Sequence, residues 1–505
     1  GGNKTNILVD SGKLTANSAT DNAFLTNGYG TDIKAINSGT IDFSSSGTTA
    51  ASRVIYISDA TATNVSNFEI LSGSKFIVTH KGAGNGIYMD DTSDTTITVD
   101  GSGSEFKVEA PNGSYALYTQ KYGTDFYVTN GAKAEFISGR AGSNTFYLSD
   151  AGSPSNINIL GGASFNVTNN GTGASRGIYT DEGTTIINLD NSELNVNVPN
   201  VTGTGYGIYI YNPTTTIKAD NKSKININTG GSGSAAALRT GTGNTKITVQ
   251  GASQIKAINN SSGGAVLELN SGGEFNVTGA DSQANIEITN SSNSSSAVSG
   301  TSSGFTINLT NLAEMYISNR SSSNATLNAG GGVVFNDPSA YDVKNLGGGP
   351  AIYNATTATA LTLVNTDITM WDKSNSPGFS SSSILDVWSD LNANLLRTGS
   401  TTVAPGSKGT TSVTMSNIGR ITAFEKSAKK AKATVGSKFE AVFEGVSDEH
   451  EYLLKAKKKI WAPEIDGEIL VNESEIENPV VGKLYKMTAT EGAKDKVIAR
   501  IDGVA

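Results

Sequence analysis

The sequence predicts an all-β fold: a right-handed parallel β-helix with three strands and about 30 residues per coil, followed by a small β-rich C-terminal domain. Three observations lead there. A phrase of the form Gly/Ser-x-aromatic-x-Val recurs at a nearly constant step, each period holds two further short alternating segments, and turn residues separate all of them. Charged residues make up only 16% of the 505, against about 25% in ordinary globular domains. Ser, Thr, Asn and Gly take their place, which suits turns and pleated surfaces and disfavours a helical enzyme.

The anchors of the phrase are Phe76, Phe106, Phe136, Phe165, Leu194, Ile225 and Ile255. A Val, Ile or Ala two residues on, as at Val78, Val108, Val167 and Val196, lines up a second internal ladder beside the first. The second segment runs from Ile87-Tyr88 through Leu117-Tyr118, Phe146-Tyr147 and Ile178-Tyr179 to Ile208-Tyr209. The third runs from Ile97-Thr98-Val99 through Phe126-Tyr127-Val128, Ile157-Asn158-Ile159 and Ile187-Asn188-Leu189 to Ile217 and Ile247. One such coil cannot bury its inward residues alone. Stacking coils about 4.8 Å apart pairs every strand with its neighbours above and below. Gly and Asn at the corners supply the positive φ of tight turns.

Upstream, the pattern extends through Val54-Ile55-Tyr56, Ile41-Asp42-Phe43 and Phe24-Leu25, and downstream it loosens through Phe275, Ile286, Phe305 and Met315. Residues 1–378 are therefore assigned to the β-helix. A cover is needed at its open end, and Ile384, Val387, Trp388, Leu391 and Leu395 have the spacing of a short amphipathic helix inside a capping segment and connector, residues 379–415. From 416 on, composition shifts. Residues 424–505 hold 14 Lys and Arg and 15 Asp and Glu, and alternating runs such as Lys438-Phe439-Glu440-Ala441-Val442-Phe443 indicate a small antiparallel β domain.

A net charge of −9 and a pI near 5.0 leave no cation excess for phosphates, so nucleic acid is not an expected partner. No apolar run approaches the roughly 20 residues of a membrane span. The absence of Cys removes disulfides, thiolate nucleophiles and Cys-based metal sites, and two His, His80 and His450, cannot build a three-His zinc centre. A monomer is expected.

The repeated Gly-Ile-Tyr, Thr-Ile-x-Val and Ser-x-Phe-x-Val phrases, in a Cys-free Asn/Ser/Thr/Gly-rich frame, make residues 1–400 resemble the pectate lyase-like adhesive domain of Gram-positive bacterial surface proteins. The resemblance implies an extracellular β-helix at the bacterial cell surface, an adhesin binding polysaccharide, glycoprotein or another host-surface ligand along its lateral face. Alternative readings are a polysaccharide lyase or hydrolase, and a structural rod that projects other domains.

The residues that would serve these readings fall into three groups. Tyr56, Tyr88, Tyr118, Tyr147, Tyr179 and Tyr209 align in one column whose preceding residue is always apolar, so the aliphatic points to the core and the rings face outward, suited to sugars. The opposite orientation packs the rings inward over Gly86, Ala116, Gly177 and Gly207. Just beyond this strand, Asp59, Asp90, Asp91, Asp150 and Asp181 form an acidic border: a solvated corner, or a site for Ca²⁺, the only cofactor considered. A lyase would need a base such as Arg53, Arg140, Arg176, Arg239 or Arg320, and none of these sits in a repeated acidic context. No catalytic residue is assigned.

Overall fold

The chain folds as a parallel β-solenoid in a computed structural model. The structure describes residues 4–58, 65–90, 94–120, 123–149, 153–181, 183–211, 214–241, 243–269, 272–279, 284–300, 305–347, 349, 351–354 and 361–364, and farther on Thr366, Gly436 and the strands named below. Each coil contributes one strand to each of three faces. The first face begins Thr5–Asp10, Thr31–Ile36, Ser66–Leu71, Thr95–Asp100; the second Lys13–Ser18, Thr40–Ser45, Lys75–His80, Glu105–Ala110; the third Phe24–Asn27, Arg53–Ser58, Asn85–Asp90, Leu117–Gln120. On the first face the ladder is fourteen strands long, each pairing with the strand one coil away.

Alternation does the sorting, as the period-2 pattern requires. In Thr95–Asp100 every second residue is buried, and the same holds for Ser155–Leu160 and Thr185–Asp190. Buried hydroxyls then stitch neighbouring coils together. Ser104 Oγ accepts the Gly73 N–H at 3.0 Å, Ser223 Oγ accepts the Ser192 N–H at 3.2 Å, and Ser253 Oγ accepts the Ser223 N–H at 3.0 Å. The corner after the first face uses left-handed residues in coil after coil, among them Asn37 (φ 54°), Asn130 (φ 56°), Asn191 (φ 47°) and Asn221 (φ 51°), the residue type that tolerates this region best after Gly. Lys222 and Leu312 adopt it as well.

One internal column differs from its sequence assignment. Phe106 pairs with Phe76, but on the next coil it pairs with Ala134, and Phe136 sits opposite Val108 and Val167. Phe136 therefore belongs to the valine column. Its ring still meets Phe106 at 5.7 Å and Phe165 at 5.2 Å between centroids, because the small Ala134 leaves the space into which a phenyl ring from the adjacent column reaches.

Beyond Val364 the ladder continues. Leu396–Thr398 pairs in parallel with Ile352–Asn354, and Val413–Ser416 with Leu361–Val364. Ile368–Lys373 and Ser376–Ser380 form an antiparallel pair, and Ile421–Phe424 joins Ile368–Lys373 in parallel. The helix expected at Ile384–Leu395 lies outside the described residues. The C-terminal strands Lys438–Gly445, Lys457–Trp461, Glu468–Asn472, Lys496–Val504 and Leu484–Ala493 close into a barrel in that spatial order. All its pairings are antiparallel except that of Glu468–Asn472 with Lys496–Val504. Tyr485, Met487 and Ala489 are buried at alternate positions along one of its strands.

Candidate functional site

The third face carries the densest chemistry. Its strands bury two residues in succession, as in Val54-Ile55, Gly86-Ile87 and Gly177-Ile178, and pairing skips the first of each two. This local irregularity turns the residue before the buried pair, Arg53 or Arg176, to the same side as the tyrosine three positions on. Space inside the kink is scarce. A Cβ on Gly86 would stand 2.5 Å from both the Ala116 carbonyl oxygen and Val108 Cγ1.

Ile55, Ile87, Leu117, Phe146 and Ile178 are fully buried, and Ile208 nearly so. The tyrosines that follow them stand outward in register, Tyr56–Tyr88–Tyr118–Tyr147–Tyr179–Tyr209. They are half-buried, and Tyr209 is buried to 9% exposure. The burial comes from the rings themselves. Tyr118 and Tyr147 lie 4.6 Å apart and 3° from parallel, Tyr147 and Tyr179 4.6 Å apart, and Tyr179 and Tyr209 5.3 Å apart. Tyr115 and Tyr206, which lie off the column, pack on Tyr118 and Tyr209 at 4.9 and 4.6 Å.

Three guanidinium groups cover much of what remains. Arg53 lies 4.4 and 4.3 Å from the ring centres of Tyr56 and Tyr88, Arg176 4.5 Å from that of Tyr179, and Arg239 5.3 Å from that of Tyr206. Arg239 also donates to the Tyr206 hydroxyl and lies 3.7 Å from Glu268. Three of the five arginines considered as bases are thus engaged with tyrosine rings, Arg140 donates to Ser114 Oγ at 3.2 Å, and Arg320 receives no side-chain role here. The repeated Arg-x-x-Tyr of Arg53–Tyr56 and Arg176–Tyr179 was the signal available for this stacking.

Asp181 accepts hydrogen bonds from Tyr147 at 2.7 Å and Tyr179 at 3.2 Å, and Gln120 accepts one from Tyr88 at 2.8 Å. Burial raises the phenol pKa of Tyr118, Tyr147 and Tyr179 far above the usual 10.0, with the Asp181 charge adding to it; burial also raises those of Tyr115 and Tyr209, against neighbouring arginines. At neutral pH these phenols are donors, not bases. What the face offers outward is a row of ring edges and hydroxyls, since the ring planes are spent on one another and on arginine.

The acidic border is sparser than its sequence suggests. Asp90, Gln120, Ser149 and Asp181 occupy one column, so Ser149 holds the place given to Asp150. Asp90 and Asp181 stand three coils apart, about 14 Å at the usual strand spacing, too far to share one cation. Asp59, Asp91 and Asp150 lie outside the described residues, among which no group of three or more His, Asp or Glu is arranged to hold a metal.

Past Tyr209 the column continues as Arg239, Glu268, Ser299 and Asn328. Where the rings stop, a polar groove of about 340 Å³ opens, lined by Tyr206, Arg239, Glu268, Ser296, Ser299 and Asn328 among others.

Comparison with known proteins gives a limited result. No family model matches the chain, and no solved structure does. The curated relatives include the ribosomal protein uS12 methylthiotransferase RimO of Nitratiruptor sp., 45% identical over 73 residues, which is 14% of this chain and 17% of the enzyme. That of Aliarcobacter butzleri is 45% identical over 73 residues, 14% of this chain and 16% of the enzyme, and that of Campylobacter fetus subsp. fetus 40% over 87 residues, 16% of this chain and 20% of the enzyme. The chain therefore spans less than a quarter of the length of these relatives. They overturn the adhesin expectation, because the similarity found leads to ribosomal protein methylthiotransferases and not to surface adhesins. Composition and repeat style told of the solenoid, and the step from solenoid to adhesin rested on those alone.

Proposed function

We propose that the chain is a non-catalytic carrier, a β-solenoid that presents a small C-terminal barrel for binding to ribosomal protein uS12, the protein named as the target of its curated relatives. The observation behind this reading is the identity of 40–45% over 73 to 87 residues. We assign that similarity to the charged C-terminal segment, residues 424–505, which is of like length and whose strands from Lys438 to Val504 close into a barrel of their own. The rest of the described chain is built of repeats with a different composition. A segment covering 16–20% of the methylthiotransferases supports a shared recognition role and not the whole activity. The long ladder supports the carrier part, since stacked coils make an extended body with a defined end.

Binding of the full chain to immobilised ribosomal protein uS12, set beside a chain ending at residue 424, tests the reading. Saturable binding that disappears with the barrel is the expected result. Equal binding by both chains, or none by the full chain, would overturn it.

A further inference from the structure

At the corner between the second and third faces, the last residue of each second-face strand turns inward and closes the bend. Among the described coils that residue is Asn in five, Asn169, Asn259, Asn290, Asn319 and Asn345, and four of these share one bond. The Oδ1 atoms of Asn169, Asn259, Asn290 and Asn345 accept the amide N–H two residues on, from Gly171 at 2.8 Å, Ser261 at 3.0 Å, Ser292 at 3.1 Å and Gly347 at 3.0 Å. Their Nδ2 atoms donate across the loop, for example from Asn169 to the Arg176 carbonyl at 2.7 Å and from Asn259 to the Ala235 carbonyl at 2.8 Å. Asn is apt because one small group supplies an acceptor and two donors in a dry corner.

His80 occupies the same column, opposite Ser45, and is completely buried. Its Nδ1 accepts the Gly82 N–H at 3.1 Å, which copies the Oδ1 role. The proton of the neutral ring is therefore on Nε2, which donates to Ser52 Oγ at 3.0 Å, and the Ser52 hydroxyl donates onward to the Thr49 carbonyl at 2.7 Å. The corner is shaped for the larger ring, since a Cβ on Gly84 would stand 2.5 Å from Nε2. An asparagine amide does not titrate near neutrality, whereas an imidazole does.

We infer that His80 is an acid-sensitive latch joining residues 46–52 of one coil to residues 81–85 of the next. A second proton would have to sit on Nδ1, where it faces the Gly82 N–H, so one hydrogen bond becomes a donor–donor clash around a buried charge. The ionisable neighbours give no relief. Arg53 is engaged on Tyr56 and Tyr88, Lys81 is exposed, and Asp21 offers this corner its backbone carbonyl, taken by Ser45 Oγ at 2.7 Å. Burial, the largest influence on the ring, lowers its pKa from the usual 6.5. The opened corner therefore binds the proton first. The latch holds fully above pH 6.5 and weakens as pH falls below it toward the folded value.

The test is amide hydrogen exchange of the full chain at pH 7.5 and 5.0, corrected for intrinsic rates, alongside His80→Asn. In the native chain the opening constant of residues 46–52 and 81–85 should rise about tenfold or more between the two pH values, as expected for one proton taken up below pH 6.5. Corners at Asn259 and Asn290 should not change. His80→Asn should fold and lose the response. An identical response in both chains would overturn the latch. Should the variant fail to fold, the imidazole carbon resonance of His80, followed by NMR in the native chain, decides instead: a midpoint below 6.5 agrees with the latch, and one at or above 6.5 overturns it.

Discussion

Tyr118 touches three other rings, Tyr88 at 4.8 Å, Tyr115 at 4.9 Å and Tyr147 at 4.6 Å, so its place in the molecule is set by stacking. Removing it strips contact area from two adjacent coils. Tyr118→Ala should cost about 2–3 kcal/mol in denaturant unfolding, less than a fully buried ring because its edge is already wet. Leu312 shows the opposite sign. It adopts φ 62° with 49% of its surface exposed, so Leu312→Gly relieves a left-handed backbone while giving up little packing, and it should raise stability by about 0.5–1 kcal/mol. At this scale sequence reading was least secure. The tyrosine column aligns by eye, and a count of two residues on from each tyrosine, as from Tyr88 to Asp90, places Ser149 and not Asp150 in the acidic column; the acid one place farther on obscures that count. His80 reads as an ordinary strand end because its neighbours in the column are distant in sequence.

The second-face strand Glu105–Ala110 puts a core face and a charged face on one element. Inward, Phe106 lies 5.3 Å from Phe76 and 5.7 Å from Phe136, and Phe106→Ala should cost about 3–5 kcal/mol. Outward, Lys107 bonds Glu109 at 2.7 Å and lies 3.6 Å from Glu135; the Glu109 bond, aided by the Glu109, Glu135 and Glu105 charges, holds its pKa above the usual 10.5 against desolvation. Lys107→Gln should then change little, as partly exposed ion pairs do, while Lys107→Glu sets a fourth acid among Glu105, Glu109 and Glu135 and should cost about 1 kcal/mol at low salt, shrinking as salt is added. The tyrosine column makes a separate pH prediction. Its phenols are raised by burial, so the folded state keeps its protons after the unfolded chain has lost them. Stability is intact below pH 10 and falls as pH rises beyond it, readable as a melting temperature that drops in alkali, and less steeply for Tyr147→Phe. The strands themselves were legible because period-2 alternation survives every change of loop length. The shift that places Phe136 in the valine column was not: Ala134-x-Phe136 alternates equally well in either register, and only the partners of neighbouring coils distinguish the two.

Across the whole molecule, contacts run between coils one step apart, so order should be lost from the ends inward. Hydrogen exchange should show protection rising from the strand Thr5–Asp10 to a maximum near Ser164–Asn169 and falling again toward Ile352–Asn354, and uniform protection would contradict a nearest-neighbour solenoid. The repeated part of the fold was readable because one local pattern is stated many times, and each statement corrects the others. The C-terminal barrel is stated once, and its parallel pairing of Glu468–Asn472 with Lys496–Val504 joins segments with no mutual signature, so sequence showed strands there without their arrangement. The in-register columns also bear on how such a chain can change over generations. A duplication or deletion that begins at one left-handed corner and ends at the equivalent corner a coil later adds or removes a complete turn, with its phenyl, hydroxyl and amide partners all supplied by the copies on either side. Length is then the property most easily altered by recombination, because the joint between turns keeps the same backbone geometry even where its side chains differ.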